Sequence, residues 1–130
     1  MMPLFALALA SADLDALDQA VARCDRAAVN PAFSSEAARR SKFLLDAYRE
    51  EEAIVAARAD LAQRRRDWRE SAKPSAVDDK ALKLEEAALE DRQRALNDQR
   101  LLEGIRQDAM DNMRHYFLMN CPAGGKDVAR

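Results

Sequence analysis

The chain has 130 residues, 48% apolar and 34% charged but only 5% aromatic, so alanine supplies much of the apolar share, as in long helices and coiled coils. Twenty-one basic against 23 acidic side chains give a formal charge of -2; no overall field gathers polyanions, and nucleic acid is excluded as an expected partner. Two cysteines and one histidine fall short of the roughly four ligands of a structural zinc site, so neither metal nor cofactor is expected.

Residues 1–12, MMPLFALALASA, carry no charged side chain and resemble a secretory leader. Ala10 and Ala12 have the A-x-A spacing that signal peptidases accept, which puts cleavage between Ala12 and Asp13; Ala8 and Ala10 are the alternative pair. Leaders usually run roughly 15 to 30 residues with a basic start. A longer leader from another start codon, or an uncleaved apolar helical turn, are the other readings. The run is shorter than the roughly 20 apolar residues that span a bilayer.

Leu14, Leu17, Val21 and Cys24 then recur at steps of three and four. This spacing predicts a short helix over 13–26 with Cys24 on its buried stripe. Asn30-Pro31 is expected to break the run, because the residue before proline avoids the helical region. Pro31 suits the first turn of the next helix, and Ser34 and Ser35 are candidate caps.

A long helix follows, spanning roughly 50 Å if it runs over 36–70. Phe43, Ala47, Ile54, Ala57, Leu61 and Trp68 mark a coiled-coil seam, flanked by Leu44, Tyr48 and Val55. Glu50 and Arg64 occupy seam positions where an apolar residue is expected. The seam is interrupted, as where polar residues set register or oligomer state.

Ser71-Ala-Lys-Pro-Ser-Ala-Val77 contains the only proline between Pro31 and Pro122, and is predicted as the tip of a helical hairpin. The second long helix opens near Ser75 or Asp78, with Asp78 and Asp79 suited to a helix N-terminus. Leu82, Leu89 and Leu96 repeat at seven, and Leu102, Ile105, Ala109, Met113 and Phe117 are expected to continue the apolar face. Asn120-Cys121-Pro122 ends the helix, with 122–130 as a loose tail.

Folding about Pro74 pairs residues whose numbers sum to roughly 149 for a short antiparallel connection. Leu61 is then expected to meet Ala88, Ile54 to meet Ala95, Ala47 to meet Leu102 and Leu44 to meet Ile105. Arg64 and Arg65 come near Glu85 and Glu86, Glu50 near Gln99 and Arg100, and Cys121 within a short step of Cys24.

Cys24 and Cys121 are therefore the principal candidate pair, a disulfide in an exporting compartment and two thiols in the cytosol. Arg64, Arg65 and Arg66 beside Trp68 form the one dense basic cluster, a candidate anion contact that Asp67, Glu70, Glu85 and Glu86 can instead neutralise. Glu50, Glu51 and Glu52 are successive on a helix, about 100° apart, and cannot converge on one site. His115 has no second histidine, Ser34 and Ser35 lack a partner set, and no glycine-rich phosphate loop exists. Met110, Met113, Tyr116, Phe117, Leu118 and Met119 cover more than one face, part of it expected against the Leu14, Leu17, Val21 helix.

The expected fold is all-α: a long antiparallel, coiled-coil-like hairpin over 13–121, its tip at 71–77, with a short N-terminal helix at its open end. The expected function is binding without catalysis, in an exported structural, chaperone-like or adaptor protein with a protein partner or a second copy. The alternative is a cytoplasmic coiled-coil adaptor or secretion chaperone with reduced cysteines. Neither reading includes a small-molecule substrate, and membrane contact is confined to an uncleaved leader or the basic tip.

Overall fold

A computed structural model describes the backbone of residues 4–123 and the side chains of 13–123. Three helices account for nearly all of it: α1 (Leu4–Ala22), α2 (Arg26–Glu70) and α3 (Ala76–Asn120). The described residues contain no strand. The side chain of Ala12 and the tail over 124–130 lie outside the described residues. No helix among them is long and apolar enough to cross a membrane.

The helix boundaries follow from local chemistry. Alpha1 is terminated just past its last helical residue by Cys24, which adopts a left-handed backbone with φ 54°. The Asp25 amide donates to the Ala20 carbonyl at 2.9 Å and the Cys24 amide to that of Val21 at 3.0 Å, the paired bonds of a Schellman ending. Glycine usually occupies that left-handed position; a β-carbon there costs about 1 kcal/mol. Asp25 then caps α2, its Oδ1 accepting from the Ala28 amide at 3.3 Å. The break thus falls at 23–25 rather than at Asn30-Pro31. Pro31 sits inside α2, and Ser34 and Ser35 are not caps, since their hydroxyls donate to the carbonyls of Pro31 and Ala32.

At the other end of α2 the expected turn forms over 71–75, and Ser75 caps α3 by accepting from the Asp78 amide at 3.3 Å. Trp68 Nε1 donates to the Ser75 carbonyl at 2.9 Å, tying the last turn of α2 to the first residue of the next cap.

The chain divides into two compact units, one built from Met1–Ser41 with Leu102–Arg130 and one from Lys42–Leu101. The second is an antiparallel helical hairpin. Its buried cluster is Ala47, Ile54 and Leu96, with Phe43 packed against it, and Leu61 and Leu82 are also buried. Ile54 therefore packs with Leu96 rather than with Ala95, which is exposed, because the seam of α3 keeps the strict heptad of Leu82, Leu89 and Leu96. Arg64 meets Glu85 and Arg65 meets Glu86. Glu50 pairs with Arg92 and Glu51 with Arg100; the expected meeting of Glu50 with Arg100 fails because the two lie on opposite flanks of the seam. Gln99 does not bond Glu50 either.

The first unit gathers Leu17, Ala20 and Val21 of α1, Val29 of α2, and Met110 and Phe117 of α3 around Cys121. Here too the α3 heptad continues, through Glu103, Met110 and Phe117, all buried. Leu102 and Ile105, expected on the buried face, are exposed, as is Leu44. The sequence-based pairs Ala47 with Leu102 and Leu44 with Ile105 thus named the wrong face of α3. Ala109 and Met113 are half-buried, and Tyr116, Leu118 and Met119 are exposed.

A mild substitution tests the assigned hairpin face. Ile54 has no exposed surface, so Ile54→Val should lower unfolding free energy by about 1 kcal/mol. Leu84→Ala, at an exposed position, should change it by less than about 0.5 kcal/mol. Urea unfolding of both variants checks this, and equal effects would contradict the seam.

Candidate functional site

The first unit concentrates the unusual chemistry. Cys24 and Cys121 are joined by a disulfide across 97 positions of sequence, with their Cα atoms 5.4 Å apart, within the range such a bridge requires. Cys121 is buried and its sulfur lies 3.7 Å from the Val21 carbonyl oxygen. Beside it Arg26 places its guanidinium 5.0 Å from the Phe117 ring centroid and donates to the carbonyl oxygens of Cys121 and Pro122. Those carbonyls lie just past the end of α3, so the cation satisfies acceptors there and complements the negative end of the helix dipole. Phe33 adds a tilted aromatic contact to Phe117, centroids 6.2 Å apart.

An ionic cluster in the same unit links α2 to α3. Arg39 donates from Nη2 to Glu36 Oε1 and to Glu103 Oε1, each at 2.7 Å, and from Nη1 to Glu103 Oε2 at 2.9 Å. Its grip on Glu103 is bidentate, the fork geometry peculiar to arginine. Arg40 bonds Glu36 at 3.0 Å and Asp111 at 2.9 Å, and Gln107 donates to Glu103 at 2.9 Å. Arg106 approaches Glu36 at 3.9 Å, and its Nε and Nη1 are buried without an acceptor.

Glu36 and Glu103 are both buried. Burial raises the pKa of each, but the hydrogen bonds from Arg39 and Arg40 to Glu36, and from Arg39 and Gln107 to Glu103, outweigh it. Both carboxylates end below their usual range. Arg39 is held protonated mainly by its bonds to Glu36 and Glu103. Asp13, Leu14, Leu17, Glu36, Arg106 and Met110 line a half-open trough of about 410 Å³ next to this cluster.

Such a cluster holds charge in a fixed cross-helix register; it does not bring a nucleophile to a base. Sequence reasoning missed it. The signal was present in the spacing, since extending Leu82, Leu89 and Leu96 by seven lands on Glu103 and then on Met110 and Phe117, and a carboxylate on that line needs a cation such as Arg39.

None of the other candidate residues belongs to this cluster. Arg64, in the hairpin unit, pairs with Asp60 at 2.9 Å and with Glu85, whose carboxyl it holds below the usual range by that hydrogen bond. Arg65 pairs with Glu86 at 2.8 Å, and Arg66 donates to Gln63 Oε1 at 2.7 Å. Glu50 and Glu51 are held in cross-helix pairs while Glu52 is exposed. His115 is exposed and Asp13 is exposed at the trough edge. Among the described residues no group of three His, Cys, Asp or Glu side chains is gathered to hold a metal ion.

No protein-family model matches the chain, and neither a curated protein nor a solved structure matches it.

Proposed function

We propose that this chain is a small exported protein of the periplasmic type that acts by binding, in a structural, chaperone-like or adaptor role, without catalysis. Its frame is the antiparallel helical hairpin of one unit and the packing of α1 on α2 and α3 in the other, and its partner is another protein or a second copy. The observation that carries this reading is the Cys24–Cys121 bridge. Disulfides persist in oxidising compartments and are rare where glutathione and thioredoxin keep thiols reduced. An apolar leader ending in Ala10-Ser11-Ala12 supports the same compartment.

The polar side chains favour binding over chemistry. The hydroxyls of Ser34 and Ser35 are engaged by backbone carbonyls of their own helix, and the buried carboxylates are held ionised by arginines rather than poised to exchange protons. Arg64 and Arg65 are each committed to a carboxylate, so an anion contact at the tip would draw on Arg66.

Intact mass spectrometry of the protein recovered from fractionated source cells tests the reading. The expected species lies in the extracytoplasmic fraction, begins near Asp13 and is lighter by two hydrogens than the dithiol. A full-length dithiol recovered from the cytosol would overturn it in favour of a cytoplasmic adaptor.

A further inference from the structure

Helix α2 carries a second heptad stripe besides the one it buries. Within the hairpin unit, Leu45, Tyr48, Glu52, Val55, Ala59, Ala62 and Arg66 follow the alternating three-four spacing of a coiled-coil seam, and all seven are exposed. The large members are far from covered, Tyr48 at 63% and Val55 at 56% exposure. Because successive residues turn by about 100°, this stripe lies roughly a quarter-turn or more from Ala47, Ile54 and Leu61. A single helix with two such seams has the pattern for packing against two neighbours at once, and α3 supplies only one of them.

We propose that the second neighbour is α2 of another copy of this chain, antiparallel about a two-fold axis near Val55 and Ala59. This rests on the reading of the chain as a binding protein and specifies the surface and the occupant. Charge decides the orientation. The polar residue toward the N-terminal end of the stripe is Glu52 and that toward the C-terminal end is Arg66, which makes no ion pair among the described residues. Parallel pairing would set Glu52 on Glu52 and Arg66 on Arg66. Antiparallel pairing in the coiled-coil register sets Val55 opposite Ala59, Glu52 opposite Ala62 and Tyr48 opposite Arg66. Large side chains then meet small ones, the tyrosine ring receives a guanidinium, and Glu52 lies one turn from Arg66 of the second copy.

The area limits the strength. A stripe from Leu45 to Arg66 is about 32 Å long on a helix about 10 Å across, roughly 300 Å² on each copy, below the area of standard stable interfaces and in the range of weak, transient ones. The dimer is therefore weak and reversible.

Sedimentation equilibrium of the purified, oxidised full chain tests this, from about 1 to 500 μM so as to reach a weak association. The expected result is a monomer–dimer equilibrium that Tyr48→Glu and Val55→Glu each weaken at least about tenfold, with unchanged circular dichroism because both positions are exposed. Leu84→Glu, on the exposed face of α3, leaves the dimer intact. Glu52→Arg and Arg66→Glu each weaken it, and combining them recovers part of the loss, because the reversed charges again attract across the antiparallel pair while Tyr48 loses its cation. A monomer throughout, a dimer indifferent to Tyr48 and Val55, or equal sensitivity at Leu84 would overturn the proposal. A monomer that is nonetheless exported and oxidised would leave the proposed function standing.

Discussion

Replacing Cys24 with serine should lower the unfolding free energy by about 4 to 5 kcal/mol under oxidising conditions, the stabilisation expected when a loop of this length is closed in the unfolded chain. The bridge joins positions 97 apart, so in the unfolded ensemble it closes about three quarters of the 130-residue polypeptide into one loop. In excess reductant the wild type should fall to the level of the variant, and the two urea curves should superimpose. A companion variant separates the bridge from the backbone it sits on. Cys24 occupies a left-handed conformation, which glycine adopts without the β-carbon penalty, so Cys24→Gly should be more stable than Cys24→Ser by about 1 kcal/mol. Equal loss for the serine variant with and without reductant would show that the bridge does not stabilise the protein.

Arg39→Ala should lower stability by about 2 kcal/mol at neutral pH, the loss for one partner of a buried pair reduced because the guanidinium is itself partly exposed. Its removal leaves Glu103 with Gln107 as its remaining partner and Glu36 nearby, while Glu36 keeps Arg40. The pH dependence carries the sign. In the wild type both carboxylates have folded pKa values depressed below 4.5. Their stabilisation is therefore complete above that value and is lost as pH falls through the lower folded values. In the variant, burial and the charge of Glu36 act on Glu103 with the Gln107 hydrogen bond but not Arg39 opposing them, so its folded pKa should rise relative to the wild type. The difference between wild type and variant should then shrink as pH is lowered from 7 toward about 4. Thermal unfolding across that range checks it; a constant difference would mean that Arg39 acts through packing alone.

Both effects centre on residues that differ in how visible they are along the chain. Cys24 and Cys121 were legible because a turn at Pro74 and two helices of similar length bring positions 24 and 121 near one another, and the observed turn over 71–75 agrees. Ser75 and the Asn120-Cys121-Pro122 ending were legible for the same reason, since caps and breakers act over a few residues. The end of α1 was not. Its Schellman turn is made at a cysteine, where glycine is the usual signal, and Asp25 serves both the helix that ends and the helix that begins. Pro31 drew the boundary to the wrong place because its ring restricts the chain whether it opens a helix or lies within one.

Local chemistry encoded in the residues alone determined that the described chain is helical, where its hairpin turns and how its cysteines are spaced. Which stripe of α3 is buried beyond Leu96 was marked in the sequence only by the heptad spacing, and tertiary contacts decided it. Leu102 and Ile105 are more apolar than Glu103, and a single helix gives no reason to bury the carboxylate in their place. Burying Glu103 becomes favourable once Arg39 on α2 can grip it from the same side, while the Leu82–Leu96 heptad keeps its line through to Met110 and Phe117. An alanine-rich helix offers more than one apolar stripe at similar free energy, and it is the neighbour's matching charges and side-chain volumes that select among them.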